Sequence, residues 1–338
     1  MSVRGLRVAI NGFGRIGRNT LRALYESQHT DIEVVAINDS GSIETNAHLL
    51  RYDSIHGCFP WEIKTTSKGI NAGRGLIPIF NYRDPAKLPW RQLDVDIVME
   101  CTGFFTERPQ ADIHLFSGAK RVLISAPGKN VDKTIVYGIN HKRITKKDLV
   151  ISASSCTTNC LVPIASVLHA EVGIQYGFVT TVHSYTGDQT LLDRNHKDLY
   201  RSRSATQSII PTSTGLAKGV GCIIPELEGK LDGSSLRVPT ANVSLIDFKF
   251  KANRKTSVNE INKAIEKAAR GELKYVLDYD IQPKVSIDFN HNSHSSIFAP
   301  AQTKVIDEEM IQVMSWYDNE WGFSCRMNDI AAEIGKNI

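Results

Sequence analysis

Three glycines at the spacing Gly12-x-Gly14-x-x-Gly17 follow an apolar run, Leu6 to Ile10, and precede a helical pattern of Phe13, Ile16, Leu21, Leu24 and Tyr25. In that context they restrict the start of the chain to a strand, a tight turn and a helix. The same hexapeptide without its strand and helix would say little. With them, the glycines let the backbone approach a pyrophosphate, and the helix N-terminus stabilises its negative charge. A second apolar run, Ile32 to Ile37, ends in Asn38-Asp39, about 20 residues past the last glycine, where an acid can hold the adenosine ribose hydroxyls.

Further short apolar runs follow at Asp96–Cys101, Arg121–Ser125 and Thr134–Tyr137, separated by polar or helical segments. This pattern predicts a doubly wound parallel sheet. The strand ends at Thr102-Gly103 and Ser125-Ala126-Pro127 open at its C-terminal edge, where dinucleotides bind. Beyond Cys156 the texture changes. Ile246, Phe248 and Phe250 alternate with Asp247, Lys249 and Lys251, as expected of an antiparallel sheet with one wet face. Ser257-Val258-Asn259-Glu260 reads as a capping box opening a helix that Gly271 ends. The fold class expected is α/β: an N-terminal Rossmann doubly wound sheet plus an α+β catalytic domain with a mostly antiparallel sheet.

A chain of 338 residues with 41% hydrophobic and 22% charged residues is long enough for two domains and ordinary for a globular protein. The net charge of +4 is spread along it, so nucleic acid is not implied. Six cysteines show no regular framework, which fits a reducing cytosol. Neither a signal-peptide h-region nor a membrane-spanning run is present, so the expectation is a soluble, unprocessed, cytoplasmic protein.

The segment Ser154-Ser155-Cys156-Thr157-Thr158-Asn159-Cys160 carries the chemistry. Val150 to Ser152 read as a strand end, and Leu161, Ile164, Ala165, Leu168 and Val172 recur at helical spacing. Cys156 therefore stands at a helix N-terminus, which favours its reactive thiolate. An isolated cysteine is more often a small buried hydrophobe, but hydroxyls and an amide surround this one. His183, ending an apolar strand in Thr180-Thr181-Val182-His183-Ser184-Tyr185-Thr186, is the candidate base that accepts the thiol proton. Arg201, Arg203 and Arg237, with the hydroxyls of Pro211-Thr212-Ser213-Thr214-Gly215, suit phosphate oxygens, although surface arginines are common and solvated. His291 and His294 have a weak metal-like spacing with no carboxylate or thiol nearby in sequence, and no metal is expected.

Together Ile10–Arg18, Ser155–Cys160, His183-Ser184-Tyr185-Thr186, Ser208–Thr212 and Trp316–Gly322 make the chain resemble the phosphorylating glyceraldehyde-3-phosphate dehydrogenases over essentially its full length. The resemblance implies Cys156 as nucleophile and His183 as its activator. It implies Thr186, Arg237 and Arg201 as holders of the substrate phosphate and inorganic phosphate, with Ser155, Thr157, Thr214 and Gly215 beside them. Gly12, Gly14 and Thr102 join Arg15, Ile16, Asp39, Arg83, Ser125 and Asn319 as NAD contacts, with Asn319 orienting the nicotinamide carboxamide. It further implies a cytosolic homotetramer, an NAD-binding domain over 1–155 to which a C-terminal helix over 319–338 returns, and a catalytic domain over 156–318. The implied reaction is NAD-dependent oxidation of glyceraldehyde 3-phosphate with inorganic phosphate, through a thiohemiacetal and a thioester on Cys156. Asp288-Phe289-Asn290-His291 with His294-Ser295 is similar to the erythrose-4-phosphate dehydrogenases, whereas Thr186 in Tyr185-Thr186-Gly187-Asp188 favours the triose enzymes. The alternative from another class is a binding module with incidental catalysis. A chain relieved of catalysis would be free to lose Cys156 or His183, and both are present.

Overall fold

The computed structural model describes residues 4–27, 29 and 31–338, and the chain divides into two compact units. One runs to Ile135 and takes in Asn140–Ser154 and Ser324–Ile338; the other comprises Val136–Ile139 and Ser155–Phe323.

The first unit holds a nine-stranded sheet in the spatial order Lys133–Thr134, Val150–Ser152, Arg121–Ile124, Ile97–Glu100, Leu6–Asn11, Ile32–Asn38, Leu76–Phe80, Gly69–Asn71, Lys64–Thr66. All pairings from the first edge to Leu76–Phe80 are parallel, and the last two are antiparallel. Val8, Ala9, Ile10, Val98 and Val122 are wholly buried, as parallel strands covered on both faces require. The helices are α1 (Arg15–Glu26), α2 (Ile43–Arg51) and α3 (Arg108–Phe116). From Leu6–Asn11 the chain first builds the sheet toward one edge and later, from Ile97–Glu100, toward the other. The carboxyl ends of these two strands frame the reversal, which is where open α/β sheets bind ligands. The apolar run at Thr134–Tyr137 is not a full strand: only Lys133–Thr134 pairs, with Ile151 and Ser152. Ile135 and Val136 are apolar because they are buried.

In the second unit α4 (Cys156–Val172), α5 (Leu216–Ile223) and α6 (Val258–Arg270) accompany an eight-stranded sheet, and α7 (Trp321–Gly335) begins in this unit and ends in the first. The strand order is Ile210–Thr212, Leu231–Val238, Ile174–Ser184, Ser244–Ala252, Met310–Tyr317, Ser296–Phe298, Leu277–Tyr279, with Lys304–Ile306 also on Met310–Tyr317. Most pairings are antiparallel, but Ile174–Ser184 lies parallel to Leu231–Val238 and Leu277–Tyr279 parallel to Ser296–Phe298. Ile246, Phe248 and Phe250 point into a core shared with Leu161, Ile164 and Leu168 of α4 and Ile261 and Ile265 of α6. The capping box of α6 is half formed. Ser257 Oγ accepts from Glu260 N, but the Glu260 carboxylate turns to Thr256 Oγ1 and Arg254, because a guanidinium is a stronger partner than a backbone amide.

Within the first unit, the C-terminal segment is tied to α1 and its exit. Asn328 Nδ2 donates to Thr20 O (3.0 Å), and His29 Nε2 lies 2.8 Å from Asp329 Oδ1. Hydrogen bonding to Asp329 raises the His29 imidazole above its ordinary 6.5 despite partial burial. A raised folded-state value means this contribution to stability is full below pH 6.5 and is lost as pH rises through the folded value. The thermal midpoint is therefore expected to fall more steeply above pH 6.5 in the parent chain than in His29→Gln; equal slopes would remove the pair from the stability balance.

Candidate active site

The strand Val150–Ser152 gives way to α4 through Ser154, whose φ of +62° lies in the left-handed region, a strained turn of the kind concentrated at functional sites. Ser155 caps the helix: its Oγ accepts from Thr158 N at 3.0 Å. Asn159 Nδ2 donates to Ser155 O at 2.9 Å. Cys156 is the first helical residue and is half-buried. Its Sγ lies 3.5 Å from His183 Nε2.

His183 sits one residue from the end of its strand, and its Nδ1 is 2.7 Å from Ser184 O. A carbonyl only accepts, so Nδ1 carries the hydrogen and Nε2 turns its lone pair to the thiol. Tyr317 packs edge-on against the imidazole, 5.9 Å between centroids. Its hydroxyl is bonded to Thr157 Oγ1 (3.0 Å) and Thr181 Oγ1 (2.8 Å). Thr157 thus braces the wall behind the imidazole.

Parallel pairing of His183 with Arg237 places a guanidinium beside the imidazole. Arg237 Nη1 donates to Ser184 O (3.0 Å) and reaches Thr186 Oγ1 (3.4 Å), while its Nε is buried without a partner. Among the described residues no carboxylate comes within ion-pair distance of Arg237. A part-buried cation with an orphaned donor suits an anion. Arg201 differs, because Asp188 (2.7 Å) and Asp198 (3.5 Å) already neutralise it. Arg203 pairs with Asp193. Thr214 and Gly215 stand at the start of α5, where Thr214 Oγ1 accepts from Leu216 N; neither bonds to Cys156, His183 or Arg237.

Burial pushes the Cys156 thiol up, opposed by Arg237, by the Thr157 hydroxyl and by the N–H groups of Thr157 and Cys156. Burial, helped by Arg237, pushes the His183 imidazole down to about 3. Each burial taken singly favours the uncharged form, against the helix N-terminus, which favours the thiolate. Moving the proton from Sγ to Nε2 creates both charges at once, and each then stabilises the other. Without the imidazole the proton must leave to solvent. His183→Asn is therefore expected to slow iodoacetamide alkylation of Cys156 at pH 7 by about tenfold, and to move the alkylation midpoint to higher pH. An unchanged profile would separate the two residues functionally.

In the first unit a cleft of about 610 Å³ is lined by Gly12, Gly14, Asp39, Arg83 and Thr102, among others. Gly12 has φ +91°, and a Cβ there would stand 2.7 Å from Thr102 N; at Gly17 it would meet Gly12 O at 2.1 Å. Gly14 is the N-cap of α1 and offers its N–H groups no side-chain partner. A Cβ on Gly14 would meet nothing within 4 Å, so the space above it is open. Asp39 holds the turn, accepting from Phe13 N (2.8 Å) and Gly41 N (2.7 Å). Arg15 pairs through both terminal nitrogens with Asp53; burial alone would raise that carboxyl, but Arg15 and two backbone N–H groups hold it well below the carboxylate range. Ile16 follows in the first turn of α1. Ser125 N donates to Glu100 O (3.0 Å) at the sheet's C-terminal edge. Arg83 is exposed on the rim.

Beneath this cleft lies a network hidden from sequence reasoning. Buried Glu100 accepts from Asn11 Nδ2 (2.6 Å) and Thr102 N (2.8 Å), and meets His114 Nε2 at 3.0 Å. Trp90 Nε1 donates to His114 Nδ1, so His114 donates from Nε2 to Glu100. Asn11 in turn accepts from Asn38. The only signal was an acid inside the apolar run Ile97–Cys101. His291 and His294 do not face a metal: His291 stacks on Trp321 and His294 bonds to Asn292 and Lys274 O. Among the described residues no cluster of three or more His, Cys, Asp or Glu side chains could hold one.

In the second unit Asn319 is 6% exposed, and its Oδ1 accepts from Ser184 Oγ and Ser244 Oγ, both at 2.8 Å. Its amide nitrogen donates to none of the described residues.

A glycine-lined cleft at the switch point of a doubly wound sheet, in one chain with a thiol set against an imidazole, defines a dinucleotide-dependent oxidoreductase. Family models described as the NAD binding domain and the C-terminal domain of glyceraldehyde 3-phosphate dehydrogenase match residues 6–108 and 155–319. The chain is 60% identical over 331 residues to the glyceraldehyde-3-phosphate dehydrogenases of Xanthobacter flavus and of Cereibacter sphaeroides, covering 98% of this chain and 99% of each relative. It is 55% identical to the chromosomally encoded enzyme of Cupriavidus necator, covering 97% and 98%. The chain belongs to the glyceraldehyde 3-phosphate dehydrogenase family and is an NAD-dependent oxidoreductase.

Proposed function

We propose that the chain converts glyceraldehyde 3-phosphate, NAD and inorganic phosphate into 1,3-bisphosphoglycerate and NADH, as a step of glycolysis. The observation that carries this reading is the Cys156 thiol at 3.5 Å from a single-tautomer imidazole, beside an arginine without a counter-ion. His183 Nε2 takes the thiol proton as Sγ attacks the aldehyde carbon, then returns it to the developing alkoxide to give a thiohemiacetal. Arg237 and Thr186 anchor the remote phosphate and so restrain the carbonyl near sulfur. NAD, when bound, accepts the hydride. His183 removes the hydroxyl proton in that step, leaving a thioester on Cys156. A phosphate oxygen attacks the thioester carbonyl, the C–S bond breaks, and the thiolate is released with the acyl phosphate. Arg201, Ser155, Thr157, Thr214 and Gly215 complete the anion sites. For Arg201 this requires exchange of the Asp188 carboxylate for phosphate.

Gly12, Gly14 and the first-turn backbone of Arg15 and Ile16 would receive the pyrophosphate, while the Arg15 guanidinium stays with Asp53. Asp39 would hold the ribose hydroxyls and repel a 2′-phosphate, favouring NAD over NADP. Arg83 would contact NAD on the Asp39 side, Thr102 and Ser125 would contact it from the other side of Leu6–Asn11, and Asn319 would orient the carboxamide. Residues 1–155 with the 319–338 helix would form the NAD-binding domain and 156–318 the catalytic one. A homotetramer is supported by the second unit's apolar surface, where Phe178 is 67% exposed, and a cytoplasmic setting by six free cysteines.

NADH formation with the triose phosphate, with and without inorganic phosphate and beside erythrose 4-phosphate, tests the reaction. Phosphate-dependent turnover of the triose is expected. Preference for the tetrose would move the substrate to a relative.

A further inference from the structure

Ser184 is shared by three functional groups. Its carbonyl accepts from His183 Nδ1 and Arg237 Nη1, and its N–H donates to Ser244 Oγ (3.1 Å). Its hydroxyl donates to Asn319 Oδ1. Ser184 and Ser244 are 0% and 1% exposed, so each hydroxyl proton needs a protein acceptor. Among the described residues their one common acceptor is Asn319 Oδ1; otherwise they have only each other, at 3.5 Å. Turning the amide over would present NH2 to two hydroxyls and leave a buried O–H without an acceptor. The backbone around Asn319 is also held, since Asp318 accepts from Asn242 Nδ2, His291 N, Glu320 N and Trp321 N. Side-chain rotation is the one freedom left, and the two serines decide it.

We propose that Ser184 and Ser244 are positioning residues that fix Asn319 with its amide nitrogen outward, so that this chain reads the carboxamide oxygen of the nicotinamide rather than its nitrogen. The inference rests on the reading of Asn319 as a carboxamide contact. It makes Ser184 the residue through which proton acceptor, anion-binding arginine and cofactor reader are held in one frame. A donor aimed at the carbonyl tolerates replacement of the carboxamide NH2, whereas an oxygen aimed outward would need that NH2 as its partner.

The test compares kcat/KM for NAD and for 3-acetylpyridine adenine dinucleotide, which keeps the carbonyl and replaces NH2 with methyl, in the parent chain, Ser184→Ala, Ser244→Ala, the double variant and Asn319→Ala. Releasing Oδ1 from both hydroxyls lets the amide invert, so the ratio of NAD to analogue is expected to rise about tenfold in the double variant and about threefold in each single one. A general structural loss would lower both cofactors together and leave the ratio unchanged. That result, with Asn319→Ala impaired on both, overturns the proposal. Should the double variant fail to fold, as judged by its thermal midpoint, the single variants decide. Asn319→Ala with parental kinetics would overturn the underlying cofactor contact instead, and the two failures are thus distinguishable.

Discussion

Cys156→Ala is expected to reduce kcat by on the order of 10⁵-fold, since removing a covalent nucleophile abolishes the pathway rather than slowing one of its steps. The neighbouring thiol of the same segment, Cys160, cannot substitute. Cys160, one helical turn further along α4, is wholly buried. Its Sγ meets Ser296 Oγ at 3.5 Å, and burial pushes it up to about 12. NAD affinity should stay largely intact, because the glycines, Asp39 and the Glu100 network all belong to the first unit. Stopped turnover with a preserved cofactor titration is the expected pair of results. Near-parental oxidation rates in the variant would sink the covalent scheme.

Arg237→Leu is expected to lower kcat/KM for the triose phosphate by about 10²-fold, corresponding to about 3 kcal/mol for loss of a desolvated charge-assisted contact. Unphosphorylated glyceraldehyde should respond far less, because the guanidinium acts on the remote phosphate. Arg201→Leu should cost less than Arg237→Leu, as Asp188 and Asp198 already occupy that cation. The pH profile carries a second signature. Burial is the main depressor of the His183 imidazole and Arg237 the next. Removing the arginine lets His183 protonate at higher pH, so the acid limb of the rate profile should move upward. Equal losses on both aldehydes would reassign Arg237 from anion binding to the framework.

Local physics explains what was legible. Gly12 and Gly17 could be read because only glycine tolerates the positive φ of the first and the close approach at the second, and Gly14 because it leaves the space above the helix start open. Cys156 could be read because a strand end, a Ser cap and a helical stripe adjoin in sequence. The alternation of Ile246, Phe248 and Phe250 could be read because a half-buried strand has period two. Glu100 was passed over because a buried acid inside an apolar run looks like a strand residue until Asn11, Thr102 and His114 gather round it. Arg201 and Arg237 looked alike as sequence, and their carboxylate neighbours separate them. Tyr317 lay inside the segment Trp316–Gly322 with no role attached to it, and Ser244 lay in no motif.

The sequence by itself determined the strand, turn and helix for a dinucleotide and the position of the thiol at a helix start, since each depends on residues within one or two turns of one another, and the family, through five short segments spread along the chain. Only the tertiary structure decided which imidazole nitrogen meets the thiol, which arginine has no carboxylate within ion-pair distance among the described residues, and which end of the Asn319 amide the two serines hold. Those properties are set by strand register and by hydrogen-bond partners tens of residues apart, such as His183 beside Arg237 and Ser184 beside Ser244 and Asn319. No local pattern encodes such pairings, because they arise when the sheet closes and buried donors must find acceptors.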